Sequence, residues 1–307
     1  VYPVFLDQKF ALADALGEKV TAVAFGSGAG GAAKQAISFG ADVAATVEDP
    51  ALDSYRNDTW TATLAAVAKG VNPSIVLMGQ TMIGRDLGPR FAVRAGTGIA
   101  MDCIDLAIVH GRLVMTRPVY GGNALAQYTS RTTPQVATIR EKSQEPLKAD
   151  ATRHGEVRAL APDHGASQAR IVSRTEVKTE GIGLESAKLV VAGGRGLGGP
   201  DGFEALEQLA RILGGAVGAT RAVVDNGWVG IALQIGLTGK VVSPNLYIAV
   251  GISGASQHVT GITGVKNVVA INNDKDADIF KISRYGAVTD WKPFMTAFIE
   301  ECRRLKA

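Results

Sequence analysis

The eight residues from Gly251 to His258, Gly-Ile-Ser-Gly-Ala-Ser-Gln-His, combine groups that suit binding of a phosphate-bearing cofactor. They follow a short apolar run, 246–250, whose composition predicts a buried strand. Ser253 is of a residue type that caps helices, and the free N–H groups at a helix start favour an anion. The glycines would let a ligand approach the backbone closely. The junction therefore predicts a nucleotide or flavin phosphate at the end of a strand.

Two glycine-rich segments offer further candidate turns for a phosphate. Gly194-Arg-Gly-Leu-Gly-Gly199 follows an apolar run and satisfies the dinucleotide pattern GxGxxG, within which Arg195 offers a bidentate donor to a pyrophosphate. The acidic residue that this fingerprint requires is found only late, at Asp225, so a plain tight turn remains an alternative. The segment Gly26–Gly31 lacks the Lys-Ser/Thr pair of a P-loop, and we interpret it as a strand-to-helix turn.

Four other polar residues each have an ordinary explanation as well as a functional one. Arg221 is of a type that usually pairs with an acid at the surface, and a lone histidine such as His258 is usually a hydrogen-bonded structural residue. Thr238 and Asn272 are of types common in turns. Together, however, these segments fall in one domain, most of them at predicted carboxyl ends of strands, where open α/β sheets bind ligands.

Composition excludes several classes of function. With 307 residues and 46% hydrophobic content, the chain is long enough for two well-packed domains. A net charge of +3 with scattered Lys and Arg argues against nucleic-acid binding, and two distant cysteines indicate a reducing compartment. Without a long apolar run we expect no membrane insertion, and the histidine spacing predicts no metal site. The serine in Gly251–Gly254 is not in a GxSxG nucleophile elbow.

Strand-like and helix-like segments alternate, which predicts an α/β protein with parallel sheets. We expect an N-terminal parallel-sheet α/β domain over 1–186 with added antiparallel strands, and a C-terminal Rossmann-like domain over 187–307. Apolar or β-prone runs predict the following strands, together with a helix over 203–213: 20–25, 74–78, 113–120, 124–129, 135–140, 170–177, 188–192, 222–224, 246–250 and 267–271.

Five motifs of the second domain occur in an order that resembles the alpha subunit of electron transfer flavoproteins. They are Gly-Ala-Thr-Arg-Ala around Arg221, Gln234-Ile-Gly-Leu-Thr-Gly-Lys240, the segment Gly251–His258, Val269–Asp274 and Tyr285–Asp290. A looser match, Arg117-Pro-Val-Tyr-Gly-Gly-Asn-Ala124, lies in the first domain. The resemblance implies that the second domain binds one FAD and that the first domain packs on a beta subunit.

Carried over by motif, the residues that would line the FAD are Arg195, Thr220, Arg221, Gln234, Ile235, Gly236, Leu237, Thr238, Ser253, Gly254, Ala255, Ser256, Gln257, His258, Asn272, Asp290 and Trp291. The resemblance places Arg221 over the isoalloxazine near N5, the Thr238 hydroxyl at N5 and His258 as a donor toward O2. A flavin that holds a single extra electron as an anion needs positive charge and hydrogen-bond donors of this kind. Arg195, Thr220 and Ser253 would hold the ribityl-pyrophosphate part of the cofactor. Asn272 and Asp290 would hold its adenosine part.

The implied function is that of an electron carrier and not of an enzyme. It would accept electrons from flavin dehydrogenases, such as the acyl-CoA dehydrogenases of fatty acid oxidation, and deliver them to a quinone-reducing flavoprotein or another redox acceptor. The implied location is the cytoplasm, or the mitochondrial matrix in a eukaryote. Two alternatives stay open: a subunit of an electron-bifurcating, NADH-oxidising complex, and a nicotinamide-dependent dehydrogenase that uses the GxGxxG turn.

Overall fold

The computed structural model describes residues 6–122, 124–141, 143, 148–173, 175 and 182–306. The chain divides into two compact units, Val1–Val119 with Asn123–Arg174, and Tyr120–Gly122 with Thr175–Ala307. The prediction of a domain boundary near residue 186 stays a prediction. Within the described ranges, no helix is long and apolar enough to cross a membrane.

The first unit contains both helices and strands. Helices α1–α4 are Leu6–Leu16, Ala29–Ser38, Asn57–Val71 and Met82–Arg94. Strands β1–β9 are Thr21–Phe25, Val43–Val47, Ile75–Gly79, Ile99–Cys103, Asp105–Val109, Arg112–Val119, Ala124–Tyr128, Gln135–Ile139 and Glu156–Ala159. These strands form two parallel sheets, with the orders β1-β2-β9 and β3-β8-β4, and an antiparallel sheet β5-β6-β7.

The predicted antiparallel additions are confirmed for two segments and wrong for the third. β6 and β7 pair antiparallel, as expected. β8 instead pairs parallel with both β3 and β4, because all five of its residues are buried and it fills the centre of that sheet. The strand predicted over 170–177 is absent from residues 170–173 and 175, and the rest of that segment lies outside the described residues.

The described residues of the second unit contain five strands and four α-helices. Strands β10–β14 are Leu189–Gly193, Ala216–Ala219, Leu246–Val250, Val268–Asn272 and Tyr285–Val288. Helices α5–α8 are Gly202–Leu213, Arg221–Asp225, Ser256–Val259 and Trp291–Lys306. The strand predicted over 222–224 is wrong, because these residues lie in α6, where Val223 is buried by the turn of the helix. The neighbouring strand is β11, an Ala- and Gly-rich segment with little β signal.

The five strands form one sheet in the order β11-β10-β12-β13-β14, and every neighbouring pair is parallel. Alternate residues enter two separate cores: Tyr247 and Ala249 of β12 belong to one, and Ile248 and Val250 to the other. The second core is closed by α5 and α8, and the first by short helices and loops. Because both faces are covered, the strands are continuous apolar runs.

Candidate functional site

The carboxyl ends of five parallel strands lie at the same edge of the second unit's sheet. The predicted site residues that end or closely follow β10–β14 are, in strand order, Arg195; Thr220 and Arg221; Ser253 to His258; Asn272; and Asp290 with Trp291. The chain leaves β10 for β11 on one side and later returns to β12 on the other side. Open sheets of this order bind ligands at the strand ends where the direction of winding reverses, here between β10 and β12.

The glycines at that reversal accommodate backbone from the neighbouring loop. A Cβ on Gly194 would lie 2.2 Å from the carbonyl oxygen of Gly251. A Cβ on Gly196 would lie 2.8 Å from the Cα of Gly251. The Gly196 N–H donates to the Gly251 carbonyl at 2.9 Å. Close ligand approach was the expected reason for Gly251 and Gly254. In the structure the space beside Gly254 is filled by the backbone of Ile279, 2.2 Å from its would-be Cβ.

The prediction that Ser253 caps the following helix is wrong. Helix α7 is preceded by Ala255, which makes no side-chain capping bond, and it has only four residues. The backbone of Ser253 is fixed differently, because its carbonyl accepts from the Ile279 N–H at 3.0 Å. Its side chain is exposed at the carboxyl edge. Ser253 therefore offers a hydroxyl to the edge without serving as a helix cap.

The loop 234–240 is tied to this edge at three points. The Ile235 N–H donates to the Ala219 carbonyl at the end of β11, at 2.9 Å. The Leu237 N–H donates to the Gln257 carbonyl of α7 at 2.8 Å. A Cβ on Gly236 would lie 2.9 Å from that same carbonyl oxygen. These contacts bring the Gln234–Thr238 motif beside the Gln257–His258 motif, although about twenty residues separate them in the sequence.

Within that loop, two predicted site residues bond to each other. The buried Gln234 amide donates from Nε2 to the Thr238 Oγ1 at 3.1 Å. This bond uses a lone pair of the hydroxyl oxygen, so the Thr238 proton is left to donate elsewhere. Thr238 itself is exposed, as is Leu237 beside it. Gln234 therefore orients a hydroxyl donor and does not need to contact a ligand itself.

His258 is buried, with 6% of its surface exposed, and both ring nitrogens are bonded within the protein. Nε2 lies 2.9 Å from the Tyr247 Oη, and Nδ1 lies 3.1 Å from the Ile235 carbonyl oxygen. Burial lowers the pKa of His258 to about 4, against a smaller opposing effect of the Ile235 carbonyl. His258 is thus neutral at pH 7 and has one ring proton. Its predicted role as a donor toward the O2 atom of a flavin stays a prediction.

Two arginines supply positive charge at the edge. Arg221 begins α6 directly after Thr220, and its side chain is 65% exposed. Its Nε donates to Asp225 Oδ2 at 3.2 Å, one helical turn further on. Arg195 lies in the turn after β10 and is exposed. The Arg221 cation is thus accessible but partly balanced by a neighbouring carboxylate.

The side chains of the last three predicted residues, Asn272, Asp290 and Trp291, mainly contact other parts of the protein. Asn272 is buried, donates to the Ile252 carbonyl at 2.9 Å, and accepts from the Asp274 N–H at 3.0 Å. The Asp290 carboxylate accepts from the Lys292 N–H at 3.0 Å at the start of α8. The ring of Trp291 belongs to the core under α5 and α8. Of these three, only Asp290 is exposed.

The glycine turn of the first unit is occupied by carboxylates of its own chain. Asp53 accepts from the Ser27 N–H at 2.7 Å and from its hydroxyl at 2.8 Å. Glu48 accepts from the Gly30 N–H at 3.0 Å. The two bonds from Ser27 lower the pKa of Asp53, so this carboxylate keeps its negative charge in the turn. This agrees with its interpretation as a plain turn.

Among the described residues, no group of His, Cys, Asp and Glu could hold a metal ion.

Two residues that shape the site were not predicted from the sequence. The sequence indicates Tyr247 only as part of an apolar strand and Asp225 only as a late acid of the GxGxxG fingerprint. A signal existed for each: Tyr247 is the single residue with a hydroxyl in its strand, and Asp225 stands four residues after Arg221 on a helix. The second signal was lost because that helix was predicted as a strand.

The fold and the site define a class of protein: an α/β protein whose open parallel sheet has polar loops at the carboxyl ends of its strands. Two family models match the chain, the electron transfer flavoprotein domain over residues 10–164 and the electron transfer flavoprotein FAD-binding domain over residues 183–263. The electron transfer flavoprotein subunit alpha of Thermoanaerobacterium thermosaccharolyticum is 43% identical over 299 residues, covering 96% of this chain and 91% of that protein.

The subunit of the same name from Bacillus subtilis is 41% identical over 289 residues, covering 94% of this chain and 88% of that protein. Protein FixB of Clostridium saccharobutylicum is 38% identical over 298 residues, covering 96% and 89%. The chain belongs to the electron transfer flavoprotein alpha-subunit family, and the predicted resemblance is confirmed.

Proposed function

We propose that this protein binds one FAD at the carboxyl edge of its second unit and carries electrons as half of a heterodimer with a beta subunit. The observation that carries the proposal is the collection of polar loops at five parallel strand ends within a domain of the FAD-binding family. The site prediction was made from the motifs, and the parallel sheet gives a physical reason for its parts to meet. The unit is then a Rossmann-like cofactor domain.

The residues present fit a flavin dinucleotide. A pyrophosphate needs cations and hydroxyl donors, and Arg195, Thr220 and Ser253 supply them at the ends of three strands. Turn 194–199 and segment 251–254 are joined through their backbones, so these donors rest on a fixed base. An open edge rather than a closed cavity suits a long cofactor that must remain accessible to electron-transfer partners.

Bound FAD would supply reversible one- and two-electron chemistry, and the chain would tune it through charge and hydrogen bonds. Thr238, oriented by Gln234, would donate a hydrogen bond from its hydroxyl toward the isoalloxazine. Arg221 adds a positive charge that favours negative charge on the ring, reduced in effect by Asp225 and by solvent. Leu237, exposed next to Thr238, would offer an apolar contact.

The remaining predicted residues act in support. Asn272 holds the loop after β13 against Ile252, and Asp290 fixes the start of α8. Trp291 fills the core behind that helix start. We therefore propose that these residues shape the adenosine end of the site through the backbone.

The protein would accept electrons from flavin dehydrogenases, such as acyl-CoA dehydrogenases, and pass them to a quinone-reducing flavoprotein or another redox acceptor. It would act as a carrier and not as an enzyme, in the cytoplasm or, in a eukaryote, in the mitochondrial matrix. The first unit, which matches the electron transfer flavoprotein domain, would pack against the beta subunit.

The test is to coexpress the chain with its beta subunit, denature the purified complex and identify the released cofactor. Release of one FAD per second unit is the expected result, since no covalent attachment is proposed. Release of NAD or FMN from a folded, saturated complex would refute the proposal. Reduction of the complex by NADH alone would indicate the bifurcating alternative, and a monodisperse, fully active alpha chain without a partner would refute the heterodimer.

A further inference from the structure

Tyr247 is a fully buried tyrosine at a position where its neighbours in β12 are aliphatic. Its exposed fraction is 0%, and its ring belongs to the core on the face of the sheet opposite α5 and α8. The hydroxyl lies 2.9 Å from Nε2 of His258. A buried hydroxyl requires a partner, and this ring nitrogen is the partner it has.

The two bonds of His258 determine which nitrogen bears the proton. Nδ1 faces the Ile235 carbonyl oxygen at 3.1 Å, and a carbonyl oxygen only accepts, so Nδ1 carries the hydrogen. Burial keeps the imidazole neutral by lowering its pKa to about 4, which leaves Nε2 without a proton. Nε2 therefore accepts from the Tyr247 hydroxyl. Burial also raises the pKa of Tyr247, so its proton is retained.

This chain of bonds joins three segments of the candidate site. Tyr247 belongs to β12, His258 to α7 and Ile235 to the loop that carries Thr238. The same loop and helix also meet through the bond from the Leu237 N–H to Gln257. A change in the His258 ring would thus be transmitted to the loop through its carbonyl bond.

We propose that Tyr247 is a positioning residue that holds His258 in the Nδ1–H tautomer and so keeps the loop 234–240 bound to α7. A consequence is that any hydrogen bond from His258 to a flavin comes from Nδ1, shared with or taken from the Ile235 carbonyl. Only this consequence rests on the proposed function. The tautomer and the loop contact concern the protein chain alone.

The experiment uses the full-length chain, coexpressed with its beta subunit and labelled with ¹⁵N in the histidine rings. Two-bond proton–nitrogen correlation spectra identify the protonated nitrogen of each histidine, and the resonance missing in His258→Gln assigns His258. In the wild type we expect protonation at Nδ1. In Tyr247→Phe the Nε2–H tautomer should become populated, and amide exchange at Leu237 should accelerate about tenfold. Tyr285→Phe, an exposed tyrosine in the same sheet, is the matched control.

A wild-type spectrum with the proton on Nε2 would overturn the proposal, and this result does not depend on whether Tyr247→Phe folds. An unchanged tautomer and unchanged Leu237 exchange in a folded Tyr247→Phe would also overturn it. Absence of FAD from the purified complex would refute the proposed function and leave the tautomer measurement intact. A lowered FAD affinity in Tyr247→Phe, with the control unchanged, would support the link to the cofactor.

Discussion

Acidification should destabilise the protein through His258 in a defined pH window. An exposed histidine in the unfolded chain titrates near pH 6.5, whereas burial lowers the pKa of the folded His258 to about 4. Between these values the unfolded state binds a proton that the folded state does not. The free energy of unfolding therefore falls as the pH falls from 6.5 to 4, and this group contributes no further change above 6.5.

The magnitude follows from the shift. Each pH unit inside the window costs about 1.4 kcal/mol, so the contribution of His258 is about 2 kcal/mol at pH 5 and about 3 kcal/mol at pH 4. Since domains are stable by only about 5–15 kcal/mol, a loss of this size is measurable. Solvent screens this charge little, because His258 is 6% exposed and its ring lies between a buried phenol and a backbone carbonyl.

The assay compares denaturant unfolding of the wild type and His258→Gln, as full-length chains in the complex, between pH 7.5 and 5. Carboxylates also titrate in this range, but they are common to both proteins and cancel in the difference. The wild type should lose about 2 kcal/mol more than the variant. The exposed His154→Gln is the matched control and should follow the wild type. If the difference in the free energy of unfolding between wild type and His258→Gln does not change with pH, the prediction is wrong. It is also wrong if NMR shows that His258 in the folded protein titrates near pH 6.5.

Three further predictions test other parts of the structure. Gly194→Ala should destabilise the protein by about 1–3 kcal/mol in thermal unfolding, because the added Cβ meets the backbone of Gly251. The control Gly199→Ala places its Cβ in open space and should leave the stability unchanged. Arg221→Ala should lower the flavin's first reduction potential by roughly 10–40 mV, since an exposed charge has a small effect. Arg284→Ala, at the amino edge of the sheet, should leave that potential unchanged. An unchanged potential in flavin-loaded Arg221→Ala would show that Arg221 has only a structural role. Cys103 is buried, with its pKa raised to about 11, and should resist iodoacetamide until the protein unfolds, as mass spectrometry would show.

The parts of the fold that the sequence predicts are those where side chains carry a strong β or helical signal. The aliphatic runs at β10, β12 and β13 and the apolar spacing of α5 were all located to within about two residues. The prediction failed where packing decides. β11 is made of Ala, Val and Gly, and it is a strand because β10 lies beside it. The two valines of α6 favour β structure locally, yet the chain has already turned at Thr220.

The general location of the site was predictable because parallel strands bring their carboxyl ends to one edge. Knowing which motifs follow predicted strands was enough to expect that Ser253 and Asn272 lie there. Thr220 also lies there, but the sequence placed it before a strand over 222–224 instead of after β11. Their individual bonds were not predictable. Nothing in the local sequence says that Asn272 bonds to the Ile252 carbonyl, or that His258 has Tyr247 behind it, since these contacts join separate segments.

The glycines show why a motif can be identified correctly for an incorrect physical reason. A sequence reveals that Gly251 must lack a side chain but not whether a ligand or another loop needs the space. In the structure the turn after β10 needs it, and the left-handed φ of 62° at Gly251 is a second requirement for glycine. The donors on these loops are therefore placed by contacts between the loops themselves. A substitution at Gly251 should disturb Arg195 and Ser253 together, through the shared backbone, before it affects any single contact with a cofactor.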